Sequence, residues 1–148
     1  MSKPYILLVE DNADDIELTK RAFNKNHIVN EIVVVRDGAE AVHFLFNEGR
    51  EGRDLPQFIL LDLKLPKISG LEVLERIRQE PTTALIPVVI LTSSKQEEDR
   101  AAGYRLGVNS YVRKPVDFNE FVDAVRQVGL YWLVLNEPPP ASERAAVV

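Results

Sequence analysis

Short apolar runs alternate along the chain with longer charged stretches in which apolar positions recur every three or four residues. The runs are YILLV (5–9), EIVVV (31–35), FILLD (58–62), PVVIL (87–91) and NSYV (109–112), and each is predicted to be a strand. Between them, Ile16, Leu18, Thr19 and Phe23 mark a first helix, and Ala41, Val42, Leu45 and Phe46 a second. Leu71, Val73, Leu74 and Ile77 mark a third, residues 100–106 a weaker fourth, and Phe118, Phe121, Val122, Val125 and Val128 a fifth. The middle strands are apolar at every position instead of alternating, as strands covered on both faces are. Five strands alternating with five helices predict a parallel α/β sheet with right-handed crossovers. The pattern leaves the strand order open. The common order for five such units is 2-1-3-4-5, with a ligand crevice where the first and third strands diverge.

Composition narrows the class. A chain of 148 residues, 45% apolar and 28% charged, fits one ordinary globular domain. A net charge of −5 argues against a general nucleic-acid binder, which carries a basic face. The absence of Cys removes disulfides, thiolate metal sites and thiol nucleophiles together, and fits a reducing compartment. MSKPY leads directly into a strand without a leader pattern, and no apolar run approaches the roughly 20 residues a membrane helix needs. The expectation is a cytoplasmic domain over 1–130, an extension with a Pro-rich tail over 131–148, and no effector domain. The polar stretches 47–56 and 138–148 look like linker.

Candidate chemistry gathers where strands end. Glu10 and Asp11 follow the first strand and Asp62 closes the third. If those strands are neighbours, the carboxylates converge within roughly 5 Å, about one strand spacing. Three carboxylates without His or Cys make a hard-oxygen site that selects Mg²⁺ or Mn²⁺. The competing explanation is local: Asp11 and Asn12 cap the first helix, and Asp14 and Asp15 suit its positive end. Asp62 has no cap to make. The fourth strand closes in Thr92 and the fifth in Lys114, which places a hydroxyl and an ammonium on the same edge. Together these groups suit a phosphoryl guest.

Glu10-Asp11, Asp62 in LLDLKLPKISG, Thr92 in ILTSS and Lys114-Pro115 in YVRKPV resemble the receiver domain of bacterial two-component response regulators. The resemblance covers about residues 4–130. It implies the doubly wound, flavodoxin-like fold with order 2-1-3-4-5. It further implies that Asp62 accepts a phosphoryl group from a sensor histidine kinase. Mg²⁺ would be held by Asp11, Asp62 and the backbone carbonyl of Lys64, with Glu10 reaching it through water. Lys114 and Thr92 would each bind a phosphoryl oxygen, and Thr92 with Tyr111 would form the switch. A cis Lys114–Pro115 bond is also implied. The spacing from EDNADD to YVRKPVD, with YWL and PPP beyond, resembles regulators paired with cyanobacterial phytochromes, although Ala13 stands where those carry Pro.

Beyond Gly129 the chain continues as LYWLVL before three prolines. One helical stripe would bury Phe121, Val125, Val128, Trp132 and Leu135, leaving Tyr131 and Val134 to face elsewhere. A surface built on Tyr131, Trp132 and Val134 is expected to join a second copy, the pairing known for the phytochrome-associated regulators. With no basic stripe or helix-turn-helix, output is expected by protein contact without nucleic acid or membrane. Three other readings compete. A Mg²⁺-dependent phosphohydrolase with an aspartyl nucleophile would carry that Asp after the first strand, with another Asp two residues on, where position 64 is Lys. A flavin module needs a glycine- and hydroxyl-rich first turn, which EDNADD is not. A phosphorylation-independent scaffold would have no need of all five site residues. The expectation is therefore a switch that is not a turnover enzyme.

Overall fold

The computed structural model describes residues 4–25, 28, 30–46 and 49–140. Strands β1 (Tyr5–Val9), β2 (Glu31–Val35), β3 (Phe58–Leu61), β4 (Val88–Thr92) and β5 (Ser110–Arg113) alternate with five helices. These are α1 (Ala13–Lys25), α2 (Gly38–Phe46), α3 (Gly70–Gln79), α4 (Glu97–Arg105) and α5 (Phe118–Leu130). All strand pairs are parallel and the order is β2-β1-β3-β4-β5, the order that the sequence pattern left open and the resemblance implied. Each strand lies within a residue of its predicted bounds.

The all-apolar strands are explained by two cores. Leu7, Val9, Ile59, Leu61, Val88 and Ile90 point to one face, against α2 and α3. Ile6, Leu8, Phe58, Leu60, Val89 and Leu91 point to the other, against α1 and α5. The edge strands β2 and β5 are only partly covered, which is why their sequences are less uniformly apolar. Helix α4 buries only Gly103, so its apolar pattern is faint. It starts at Glu97, three residues before the apolar reading suggested, with Glu97, Glu98 and Asp99 in the first turn where the helix dipole favours them.

Two arginines tie down the edge of the sheet away from the strand tips. Arg53 pairs in a fork with Glu31, at 2.9 and 3.1 Å, and lies over the Tyr5 ring at 5.5 Å. The Tyr5 hydroxyl donates to the Asp54 carbonyl oxygen at 2.5 Å. The stretch 47–56, linker-like in sequence, is thus pinned to β1 and β2 over its described part. Arg78 of α3 donates to the carbonyl oxygens of Gly107 (2.9 Å), Ala84 (3.0 Å) and Ile86 (2.8 Å), and to Asn109 Oδ1 (2.8 Å). That same Asn109 oxygen accepts from the Val88 amide at 2.8 Å.

Helix α5 does not stop at Gly129. It runs into one π-helical turn, Tyr131–Leu135, closed by the Asn136 amide on the Tyr131 carbonyl oxygen at 2.6 Å. Phe121 and Val125 are buried, and Val128 and Trp132 are packed on the α1/α5 core. Leu135 departs from the expected stripe: it is 70% exposed, beside Val134 at 68%. The wider π turn advances less far around the axis per residue, so Leu133 takes the inward place instead. The end of the Pro-rich tail, 141–148, lies outside the described residues.

Candidate functional site

The strand tips fix their acids through the backbone. Glu10 follows β1 immediately, and its amide donates to the Val35 carbonyl oxygen at 3.0 Å. Asp62 follows β3, and its amide donates to the Val9 carbonyl oxygen at 3.0 Å. The sheet ladder therefore extends one step past both strands and holds the two carboxylates side by side. Carboxylate oxygens of Glu10, Asp11 and Asp62 lie within 4.8 Å of one another, with Glu10 and Asp62 buried and Asp11 exposed. An all-oxygen donor set of this size and charge fits Mg²⁺ or Mn²⁺ and rejects softer metals. The helix-cap explanation holds for Asn12 alone, whose Oδ1 accepts from the Asp15 amide at 3.0 Å.

Lys114 arrives from β5. Its amide donates to the Thr92 carbonyl oxygen at 2.7 Å, and its side chain, only 8% exposed, enters the acidic pocket. The ammonium reaches Glu10 Oε1 at 2.6 Å, Asp15 Oδ2 at 2.8 Å and Asp62 Oδ2 at 3.2 Å. Asp15 is the member the sequence reading missed, having assigned it to the helix dipole. It does sit in the first turn of α1. No spacing in the chain pointed to its pairing, because Asp11 precedes α1 and Lys114 lies 99 residues away.

Three carboxylates around one ammonium leave an excess of negative charge. Burial pushes the Glu10 carboxyl up to about 7, with the charge of Asp62 adding to it and the Lys114 hydrogen bond opposing. Burial alone would lower the Lys114 ammonium, but hydrogen bonds to Asp15 and Glu10 and the Asp62 charge outweigh it and raise the pKa. The causes differ: burial drives the Glu10 shift, whereas the surrounding carboxylates drive that of Lys114.

The remaining predicted residues divide between this edge of the sheet and the apolar end of the chain. Thr92 ends β4, fully buried, and its Oγ1 accepts from the Ser94 amide at 3.4 Å. Ser94 donates its hydroxyl to Asp99 Oδ2 at 2.5 Å, fastening the β4–α4 connection to the first turn of α4. The Tyr111 hydroxyl is buried and has no hydrogen-bond partner among the described residues. Burial raises its pKa, and the neighbouring Ser94 side chain partly offsets this. The Lys64 amide donates to Asp62 Oδ1 at 3.4 Å, so Lys64 meets the site through its backbone. Tyr131 and Val134 are exposed far along the chain from the pocket, and Tyr131 stands edge-on to Trp132 with ring centres 4.9 Å apart.

One implied feature is corrected. The described backbone has no cis peptide bond, so Lys114–Pro115 is trans. Trans is the default of an X–Pro bond, and here the strand-like Lys114 amide contact to Thr92 is made in that form.

Residues 6–126 match the response regulator receiver domain family. The response regulator Rcp1 of Synechocystis sp. is 41% identical over 137 residues, 92% of this chain and 93% of that protein. A crystal structure of its Mn²⁺-bound form superposes with a TM-score of 0.87 at 39% identity, covering 93% of this chain and 99% of that one. The phosphorylated cyanobacterial phytochrome response regulator RcpA superposes with a TM-score of 0.88 at 40% identity, over 93% of this chain and 99% of that one. The bacteriophytochrome response regulator RtBRR is 51% identical, with a TM-score of 0.72 over 98% of this chain and 89% of that one. With its strand order, its acidic Mg²⁺/Mn²⁺ pocket and these matches in agreement, the chain belongs to the response regulator receiver domain family.

Proposed function

We propose that this protein is a phosphorylation switch in which Asp62 takes a phosphoryl group from a phytochrome-type sensor histidine kinase and passes the signal on by protein contact. The observation that carries this reading is the buried Asp62 carboxylate with a buried ammonium, Lys114, 3.2 Å away. The family supplies the histidine-kinase donor. The phytochrome assignment is supported by the two phytochrome regulators above, 40% and 51% identical to this chain.

Asp62 Oδ2 attacks phosphorus and the P–N bond to the donor imidazole breaks, its electron pair returning to the ring. Glu10, Asp11, Asp62 and the Lys64 carbonyl would hold Mg²⁺, which would neutralise the pocket and the incoming phosphoryl oxygens together. Lys114 then exchanges its long contact with Asp62 for a phosphoryl oxygen, and the Thr92 hydroxyl binds another. Movement of Thr92 is read by Tyr111, whose buried hydroxyl lies beside Ser94 in the β4–α4 connection. Phosphate on Asp62 is the signal, so the protein acts as a switch and not as a turnover enzyme. The exposed apolar turn of Tyr131, Val134 and Leu135 supports pairing with a second copy, with Trp132 at its inner margin.

Incubation with Mg²⁺ and a small phosphodonor, followed by intact-mass measurement, tests the acceptor. One added phosphoryl group that disappears in Asp62→Asn is expected. No adduct in the unaltered protein, or an adduct that persists in the variant, overturns the assignment. Transfer from a phytochrome-type kinase should outpace transfer from an unrelated histidine kinase, and equal rates would refute the phytochrome pairing.

A further inference from the structure

An ammonium has three protons to donate, and Lys114 spends all three on carboxylates that come from three different elements. Two of those carboxylates have other work. Asp62 is the acceptor in the reading above, and Glu10 belongs to the oxygen set that fits a divalent cation. Asp15 belongs to neither. Its carboxylate stands outside the group of Glu10, Asp11 and Asp62, and its bond to Lys114, at 2.8 Å, is shorter than the bond from Asp62 at 3.2 Å.

Asp15 is also held firmly. Its amide donates to Asn12 Oδ1 at 3.0 Å, and its carbonyl oxygen accepts from the Thr19 hydroxyl at 2.8 Å. Both bonds lock the first turn of α1 and leave the carboxylate aimed at Lys114. The lysine stem is long and flexible, and pocket entry alone does not fix its tip. Of its three contacts, the one to Asp62 is the weakest by length, and it is the one that must be surrendered to a phosphoryl oxygen.

We propose that Asp15 is a positioning residue for phosphoryl transfer: it anchors the Lys114 ammonium from outside the oxygen set that fits the metal, so that only the contact to Asp62 is exchanged when the phosphoryl group arrives. Asp15 touches neither the phosphoryl donor nor the metal and acts through Lys114. This rests on Asp62 being the acceptor. A group held within reach but free to wander loses much of its effect on a reaction, and a misplacement of the order of 1 Å costs up to roughly a hundredfold.

The test is a double-mutant cycle in the full chain, with Asp15→Asn, Lys114→Met and the pair. Rates of phosphoryl incorporation from a small phosphodonor are measured at saturating Mg²⁺, with Mn²⁺ affinity measured separately. Asp15→Asn is isosteric and keeps the turn of α1, and its fold is checked by circular dichroism. It is expected to slow incorporation by roughly tenfold. In the Lys114→Met background the same change is expected to alter the rate less than about twofold, because its only route of action is gone. Equal slowing in both backgrounds, or a rate restored in full by raising Mg²⁺ further, overturns the proposal. A metal-free readout accompanies it: nitrogen-15 spectra should show a slowly exchanging Lys114 ammonium that Asp15→Asn exposes to solvent exchange. An unchanged Lys114 signal overturns the anchor directly. Phosphorylation of Asp62→Asn at the unaltered rate would instead refute the acceptor reading, leaving the ammonium measurement to judge Asp15 by itself.

Discussion

Gly70 lies hard against Asp62: a Cβ built on Gly70 would stand 2.2 Å from the Asp62 carbonyl oxygen and 2.6 Å from Leu63 Cα. The Gly70 amide closes the same loop on the Leu63 carbonyl oxygen at 3.0 Å. The tip of β3 and the start of α3 are therefore in backbone contact, and no side chain fits between them. Gly70→Ala is expected to push the Asp62 backbone off the sheet ladder. The loss of stability should be about 2 kcal/mol, typical of overpacking, and phosphoryl incorporation should fall with it. Denaturant unfolding and intact mass read the two effects, and a variant that is fully stable and phosphorylated would show that the loop yields.

Lys114→Met leaves three carboxylates of the pocket without their ammonium. Breaking a buried ion pair by removing one partner costs on the order of 3–5 kcal/mol, so the metal-free variant should unfold far more easily than the unaltered protein. Mg²⁺ occupies the same negative field, and a ligand at about 100 times its Kd restores about 2.7 kcal/mol. Unfolding midpoints with and without Mg²⁺ should therefore differ more in the variant. Equal shifts would mean that cation and lysine do not share the field.

Glu10 sets a pH dependence with a definite sign. Its carboxyl titrates near 7 in the fold against an ordinary value of 4.5, so between those values the folded protein holds a proton that the unfolded chain has released. Stability from this group is present below about pH 4.5 and is lost as pH rises through about 7. In metal-free protein the loss should reach about 3 kcal/mol, and Glu10→Gln should remove it. Divalent-cation affinity should rise over the same interval, as the metal no longer displaces a proton. Calorimetric titration at several pH values checks both, and a flat Glu10-dependent profile would refute the shift.

The apolar end of the chain offers a cleaner variant than Trp132, which is partly packed on the core. Val134→Glu changes a residue that is exposed and makes no core contact among the clusters above. If the turn joins two copies, the unaltered protein sediments as a dimer and Val134→Glu as a monomer of unchanged thermal stability. A dimer that survives the charge moves the interface elsewhere.

Much of this architecture was legible in the chain because the strands are short, apolar and separated by clear helical periods. Glu10, Asp11, Asp62, Thr92 and Lys114 were legible as a set because every one sits at a strand end, and a parallel sheet puts those ends on one edge. Asp15 was not. Its helix-start position already had a sufficient local explanation, while its partner lies 99 residues away. The Ser94–Asp99 clasp was hidden in the same way, since both residues suit a helix start without touching. Leu135 was misplaced because the stripe assumed an α-helical advance through a turn that is wider.

Arg78 makes the far margin of the sheet a fulcrum. One guanidinium grips the segments leading into β4 and β5 at four points, and burial lowers its pKa without a charged partner to compensate. Rearrangement at the phosphorylated tip should thus tilt α4 and β5 about this grip, not slide them. Hydrogen exchange should show Val88 and Asn109 amides equally protected before and after phosphorylation, while amides near Ser94 change; loosening at Val88 would break the lever.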